Sequence, residues 1–174
     1  MAGNVLTHEA RVSYPYVFEP NKGPNNDQEP KYSLTLLFAK GADLAPLKKA
    51  AEEAVREKWG DKPPKKLKSP FLDQGDYDKP GYEAGCIMVR ASSNERPGLV
   101  DARVQPIIDP CDFYAGCYCR ATLRAFAYDR NGNQGVSFGL QNIQKLRDGE
   151  RLAGRPKAEE DFQPVEGLED GDMF

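Results

Sequence analysis

The stretch "GCYCRATLRAFAY", Gly116–Tyr128, narrows what this chain can become more than any other. It alternates without a break. Cys117, Cys119, Ala121, Leu123, Ala125 and Ala127 fall on one side of an extended strand; Tyr118, Arg120, Thr122, Arg124, Phe126 and Tyr128 fall on the other. A period of two sustained this far specifies a strand with one buried face. The small apolar side turns inward, and the outward side carries rings and cations. "DRNGNQG" follows, rich in residues that accept left-handed backbone, and predicts a hairpin connection. "VSFGLQNIQKL" (Val136–Leu146) is the return strand, with a helical turn expected at its end.

The earlier chain supplies the other walls. Ala10–Phe18 alternates, placing Ala10, Val12, Tyr14, Tyr16 and Phe18 on one side, with Pro15 marking an edge or bend. Lys31–Phe38 reads as a strand with Tyr32, Leu34, Leu36 and Phe38 on one face, and Cys86–Ser92 as another. One helix is predicted. Asp43 is its N-cap, and Leu44, Leu47, Ala51, Ala54, Val55 and Trp59 form its apolar stripe, which assigns Trp59 to the core. Gly60 stops it. Several strands around a single helix predict a mainly β chain: a small barrel like the oligonucleotide-binding (OB) fold, with one inserted helix, over residues 1–158. Residues 159–174 lack apolar periodicity and read as a disordered acidic tail.

No apolar run approaches a membrane span, and Met1-Ala2-Gly3-Asn4 does not open a secretion leader. With four cysteines this predicts a reducing, cytoplasmic setting and free thiols. Cys111, Cys117 and Cys119 lie close in sequence, but C-x5-C-x-C lacks the paired knuckles of common zinc sites, so buried thiols are expected and no metal or other cofactor.

The formal net charge of −3 conceals a division. Seven of the 27 acids lie from Glu159 onward, where there is no Lys or Arg, so the preceding body has a surplus of four positive charges. A basic body attracts polyanions, and an acidic tail can occupy the same surface or solicit basic partners. The ring-and-cation face of Gly116–Tyr128 has the chemistry of a single-strand platform, in which bases stack on aromatics and guanidiniums meet phosphates. The competing reading is a solvated face of cross-strand pairs. Lys31, Arg90, Lys65 and Lys66 extend the basic set, and Tyr77 and Tyr82 flank a Gly/Pro loop as a stacking lid or as packing. Two further readings stay open: a metal-dependent nuclease using Asp73, Asp76 and Asp78, and a β-domain whose aromatic face meets protein. His8 is the only histidine, which removes most His-dependent nucleophilic schemes, and the chain is not expected to be an enzyme.

"PKYSLTLLFAK", "EKWG", "LKSPFLDQGD", "GYEAGCIMVRASS", "RPGLVD", "DPCDFYAGCYCRA" and "GVSFGLQNIQKLRDGERLAGR", in this order, resemble a family of tailed-phage single-stranded DNA-binding proteins, once known only as a domain of unknown function. The resemblance runs from about Asn4 to Phe162, and "DFYAGCY" and "GVSFGLQNIQKL" are its most specific parts. It implies an OB-fold that coats single-stranded DNA without sequence preference during bacteriophage DNA replication or recombination, in the host cytoplasm, with self-association on the strand. It also implies that the tail serves regulation and binding of replication or recombination proteins, with Asp170, Asp172 and Phe174 as the acidic, Phe-tipped end. Met173 stands where the bacterial type carries Pro, so a pocket built for the bacterial tip is a poorer fit.

Overall fold

A computed structural model describes residues 3–21, 30–152, 162, 164 and 165. The tail residues Asp170, Asp172 and Phe174 lie outside these residues, as does most of 159–174. The elements run β1 (Val5–Leu6), β2 (Ala10–Asn21), β3 (Lys31–Leu37), α1 (Ala45–Trp59), β4 (Leu72–Asp73), β5 (Ile87–Ser93), β6 (Gly98–Val100), β7 (Tyr118–Arg130) and β8 (Asn133–Arg147). Short 3-10 turns cover Gln74–Asp76 and Pro110–Asp112.

The β7–β8 hairpin is the spine. Its turn is two residues, Asn131 at φ 52° and Gly132 at φ 87°, closed by Arg130 opposite Asn133. Both central residues are left-handed, which matches the twist of the paired strands. The predicted parity of β7 holds: Cys117, Cys119, Ala121, Leu123 and Ala125 are all buried. From β8, Val136, Phe138, Leu140 and Ile143 join them. The expected helical turn at the end of β8 is not formed. The strand continues to Arg147 because Lys145 and Arg147 still pair with Cys119 and Tyr118.

Pairing then runs in a ring. β7 meets β2 antiparallel, β2 meets β3, β3 meets β5, and β5 meets β8 in parallel. Five strands closed in this way, one junction being parallel, have the OB-type arrangement. The ring is not a clean barrel, since β2–β7 and β5–β8 are joined by only two residue pairs each. α1 packs mainly on β7 through Leu47, Ala50, Ala51 and Ala54. The N-cap is Leu44, not the expected Asp43, and it supplies no side-chain cap; Asp43 stands one residue further out and accepts from the Ala45 N–H (3.0 Å). Gly60 ends the helix at φ 61° with its N–H on the Arg56 carbonyl (2.8 Å). Trp59 does not reach the core. It is half-buried, with the Lys58 ammonium 5.8 Å from its ring. Among the described residues no helix is long and apolar enough to cross a membrane.

β2 departs from its expected parity. Ala10 and Val12 are buried, yet Tyr14 and Tyr16 are exposed and Val17 is buried in their stead. The register with β3 slips between Ser13 and Tyr16, and Tyr14 sits at φ 43°. Pro15 disfavours the right-handed helical region for the residue before it, and a bulge that takes Tyr14 left-handed breaks the alternation, with a second register shift following between Tyr16 and Asn21. Such backbone at a bulky residue costs of the order of 1–3 kcal/mol.

The segment between β4 and β5 lies over the outside of the ring, held by Gln74. This side chain is 2% exposed. Its amide donates to the carbonyls of Phe38 (3.0 Å) and Ile87 (2.8 Å), and its oxygen accepts from the Glu83 N–H (3.0 Å). Replacing it with Leu leaves buried polar groups unpaired. We expect Gln74→Leu to lower stability by roughly 1–3 kcal/mol, read as a lower urea midpoint, with faster amide exchange across residues 77–83.

Candidate nucleic-acid interface

Residues paired in register share a face, so the outer surface can be read row by row. One row runs Tyr16–Ser33–Ser92–Gly139–Arg124 across β2, β3, β5, β8 and β7. The next contains Thr35 opposite Arg90 and Ser137 opposite Phe126. The middle of the outer face is therefore floored by Ser33, Ser92, Ser137 and Gly139, while Arg90, Arg124 and Phe126 stand around it. Phe126 is 43% exposed. Lys31 begins the same face of β3, two residues beyond Ser33, and is exposed.

One wall of this surface is the segment entering β4. Lys68 lies beside Gly135: its N–H donates to the Gln134 carbonyl (2.9 Å) and its carbonyl accepts from the Val136 N–H (3.2 Å). Only glycine permits the approach, since a Cβ on Gly135 would come 2.7 Å from the Lys68 oxygen and 2.8 Å from the Tyr128 hydroxyl. Lys68, Phe71, Tyr77, Arg90, Tyr128 and Ser137 line the resulting groove, a space of about 750 Å³. The Arg90 guanidinium is 5.0 Å from the Tyr77 ring centre, and Tyr77 meets Tyr82 edge to face at 6.4 Å. Lys65 and Lys66, just before this wall, are exposed.

The predicted set thus divides. Arg90, Arg124, Phe126 and Tyr128 gather where β5, β8 and β7 adjoin. Tyr118 stands ten residues from Tyr128 along β7, about 33 Å of strand, and its ring is already engaged. The Arg147 guanidinium is 3.8 Å from its centre and that of Arg11 5.8 Å. Both cations are held: Arg11 donates to the Gly116 carbonyl (3.2 Å) and the Glu150 carbonyl (2.7 Å), and Arg147 pairs with Glu9 (2.6 Å). Arg120 is likewise tied, its Nε donating to Gln144 (2.8 Å), whose amide reaches the Asp101 and Ala102 carbonyls. Arg124 has no hydrogen-bond or ion-pair partner among the described residues. The outward parity assigned to all six side chains was correct, but parity does not reveal which cations are free to receive a ligand. It also missed the small floor residues and both β2 tyrosines, for which Pro15 between two tyrosines was the available signal.

Cys86, Cys117 and Cys119 are buried, as expected, and desolvation raises the pKa of the last two thiols. Cys111 differs and is exposed on a 3-10 turn. Asp73, of the alternative nuclease cluster, accepts from the amides of Gly75 (2.8 Å) and Gly85 (3.2 Å), so one carboxylate oxygen serves the loop. Among the described residues no three His, Cys, Asp or Glu side chains gather as a metal site.

The ring and its open, cationic and aromatic outer face define a module of the OB-fold type. The chain belongs to the family of the Enterobacter phage Enc34 ssDNA-binding protein, whose family model matches residues 3–174. It is 29% identical over 185 residues to protein p50 of Acyrthosiphon pisum secondary endosymbiont phage 1, covering 98% of both chains. Its structure resembles that of the bacteriophage Enc34 single-stranded DNA-binding protein in complex with ssDNA, with a TM-score of 0.71 and 23% identity over 87% of this chain and 90% of that one. It also resembles gp2.5, a single-stranded DNA-binding protein of bacteriophage T7, with a TM-score of 0.60 and 18% identity over 90% and 99%.

Gly139 allows the open face to be tested. A Cβ there would meet only the Arg124 and Ser92 carbonyl oxygens at 3.6 and 4.0 Å, ordinary contact distances, so nothing in the packing requires glycine. We expect Gly139→Val to keep or raise the unfolding free energy, by up to about 1 kcal/mol given the strand cost of glycine. The same variant should weaken oligonucleotide binding, because its branches fill the floor between Arg90 and Arg124.

Proposed function

We propose that this protein binds single-stranded DNA without sequence preference, as a non-catalytic coat protein of phage DNA replication or recombination acting in the bacterial host cytoplasm. The observation that carries the reading is the floor of small side chains bounded by Arg90, Arg124 and Phe126, in a chain of this family. A flat floor admits the strand closely. Phe126 and Tyr128 offer ring faces to bases, each stack being worth about 1–3 kcal/mol whatever the base. Arg90, Arg124 and Lys31 neutralise phosphates, and Lys65, Lys66 and Lys68 continue the positive surface beyond the β4 wall. Tyr118 and Arg120, engaged at the far end of β7, would meet the strand only after exchanging their present partners.

Oligo-dT titrated across a salt series tests this. Affinity should fall steeply with salt, and Arg90→Ala or Arg124→Ala should each reduce the logarithmic slope by about 0.7, the value for one phosphate on a single strand. Absence of wild-type binding at low salt removes the reading in favour of a protein-facing β-domain. Cleavage of labelled DNA with magnesium, lost in Asp76→Ala, favours the nuclease.

We infer that residues 159–174 act as a second unit, an acidic tail. Phe162 and Val165 within it are 74% and 71% exposed. We infer that its acids occupy the basic face when DNA is absent, and that displacement presents Asp170, Asp172 and Phe174 to replication or recombination proteins. Self-association on the strand belongs to the same reading. Deleting residues 166–174 should tighten DNA binding at low salt, and unchanged affinity would overturn the regulatory role.

A further inference from the structure

The β2 bulge builds a feature that the sheet does not need. Tyr14 and Tyr16 are turned to solvent (43% and 37% exposed) at the place where the backbone adopts the costly φ of 43°. A strained, bulky residue that exposes aromatic surface on both sides of a proline is not a packing solution. Behind it lies an apolar socket of about 240 Å³, lined by Tyr14, Tyr16, Pro80, Tyr82 and Leu152 with Lys79 among them. The walls are fixed. The Tyr82 hydroxyl and the Ser13 hydroxyl share a hydrogen bond of 2.9 Å, and the Leu152 N–H donates to the Ala115 carbonyl (3.0 Å). Leu152 also covers Gly81, where a Cβ would collide with it.

Two routes connect the socket with the open face. Tyr16 ends the row whose other members are Ser33, Ser92, Gly139 and Arg124. Tyr82 touches Tyr77, which carries the Arg90 guanidinium. A single strand crossing the floor from Arg124 along this row would meet Tyr16 at its far end, beside the socket. We propose that the Tyr14–Tyr16 socket is a second base-binding station, taking one nucleobase of the strand by stacking and apolar burial. This extends the single-stranded DNA reading and rests on it. The socket's apolar walls suit the face of a base, and Lys79 suits the phosphate next to it.

The test is a length series of oligo-dT titrated against wild type, Tyr14→Ala/Tyr16→Ala and Arg90→Ala. Wild type should gain affinity as the oligonucleotide becomes long enough to span from the floor to the socket. The double tyrosine variant should match wild type on the shortest oligonucleotides that bind, and lose about five-fold or more on the longer ones, the effect of one lost stack. Equal affinity of the two at every length overturns the station, and if Arg90→Ala is weakened in the same assay the floor reading stands without it. A wild type that binds no oligonucleotide fails the parent reading instead. A second measurement does not depend on the variant folding. Wild-type protein irradiated with an oligonucleotide carrying 5-iodouracil should cross-link through the peptide containing Tyr14 and Tyr16, and cross-links found only in other peptides overturn the proposal.

Discussion

The pairing of β7 with β8 is the interaction on which the rest of the molecule depends. It runs from Tyr118 opposite Arg147 to Arg130 opposite Asn133, around a two-residue turn that only left-handed backbone can make. β1 and β2 attach to the free edge of β7, and β5 and β6 attach in parallel to β8. Without the hairpin, the ring has neither its two-pair closures nor a surface for α1. Leu123, Phe138, Leu140 and Ile143 are all essentially buried along it, and truncating any such side chain typically costs about 2–5 kcal/mol.

That hairpin divides the labour of its own side chains. Inward positions are small or branched and close the core. Outward positions hold four arginines, Arg120, Arg124 and Arg130 on β7 and Arg147 on β8, but they are not equivalent. Arg147 is committed to Glu9 and Tyr118, and Arg120 to Gln144. A guanidinium with protein partners must give them up to meet a phosphate, so its net gain is small. Among the described residues Arg124 has none, and Arg90 has only the ring of Tyr77. The positive field of the body is shared by all its cations, but among the described residues only some of them keep unspent donors.

The alternation of Gly116–Tyr128 made β7 legible at once, together with its inner and outer faces and the hairpin after it. The helix was legible from its stripe and its stop at Gly60. What was not legible depended on partners far away in sequence. Arg11 is fixed by a carbonyl 139 residues later, and Arg147 by a carboxylate 138 residues earlier. Nothing local to either residue announces this. The parity of β2 failed for a different reason: strict alternation assumes continuous pleat, and the bulge at Tyr14 breaks it. The helical turn expected at the end of β8 is replaced by strand, because pairing with β7 continues to Arg147.

The floor of the outer face was invisible for the most general reason. Serines and glycine carry weak signals, and their meaning lies in being adjacent across three strands. Ser33, Ser92, Ser137 and Gly139 contribute little to the core, and at Gly139 neither packing nor backbone angle demands a missing side chain. Gly135, four residues earlier, is demanded by the approach of Lys68. Two glycines of one strand thus have different causes, one holding the wall of the groove and the other keeping its bed open. The inner face can be stabilised or destabilised without altering the bed, and the bed can be filled without loosening the core. A ring whose closures are short but whose hairpin is long tolerates this separation, because its buried side chains lie on the inside of β7 and β8.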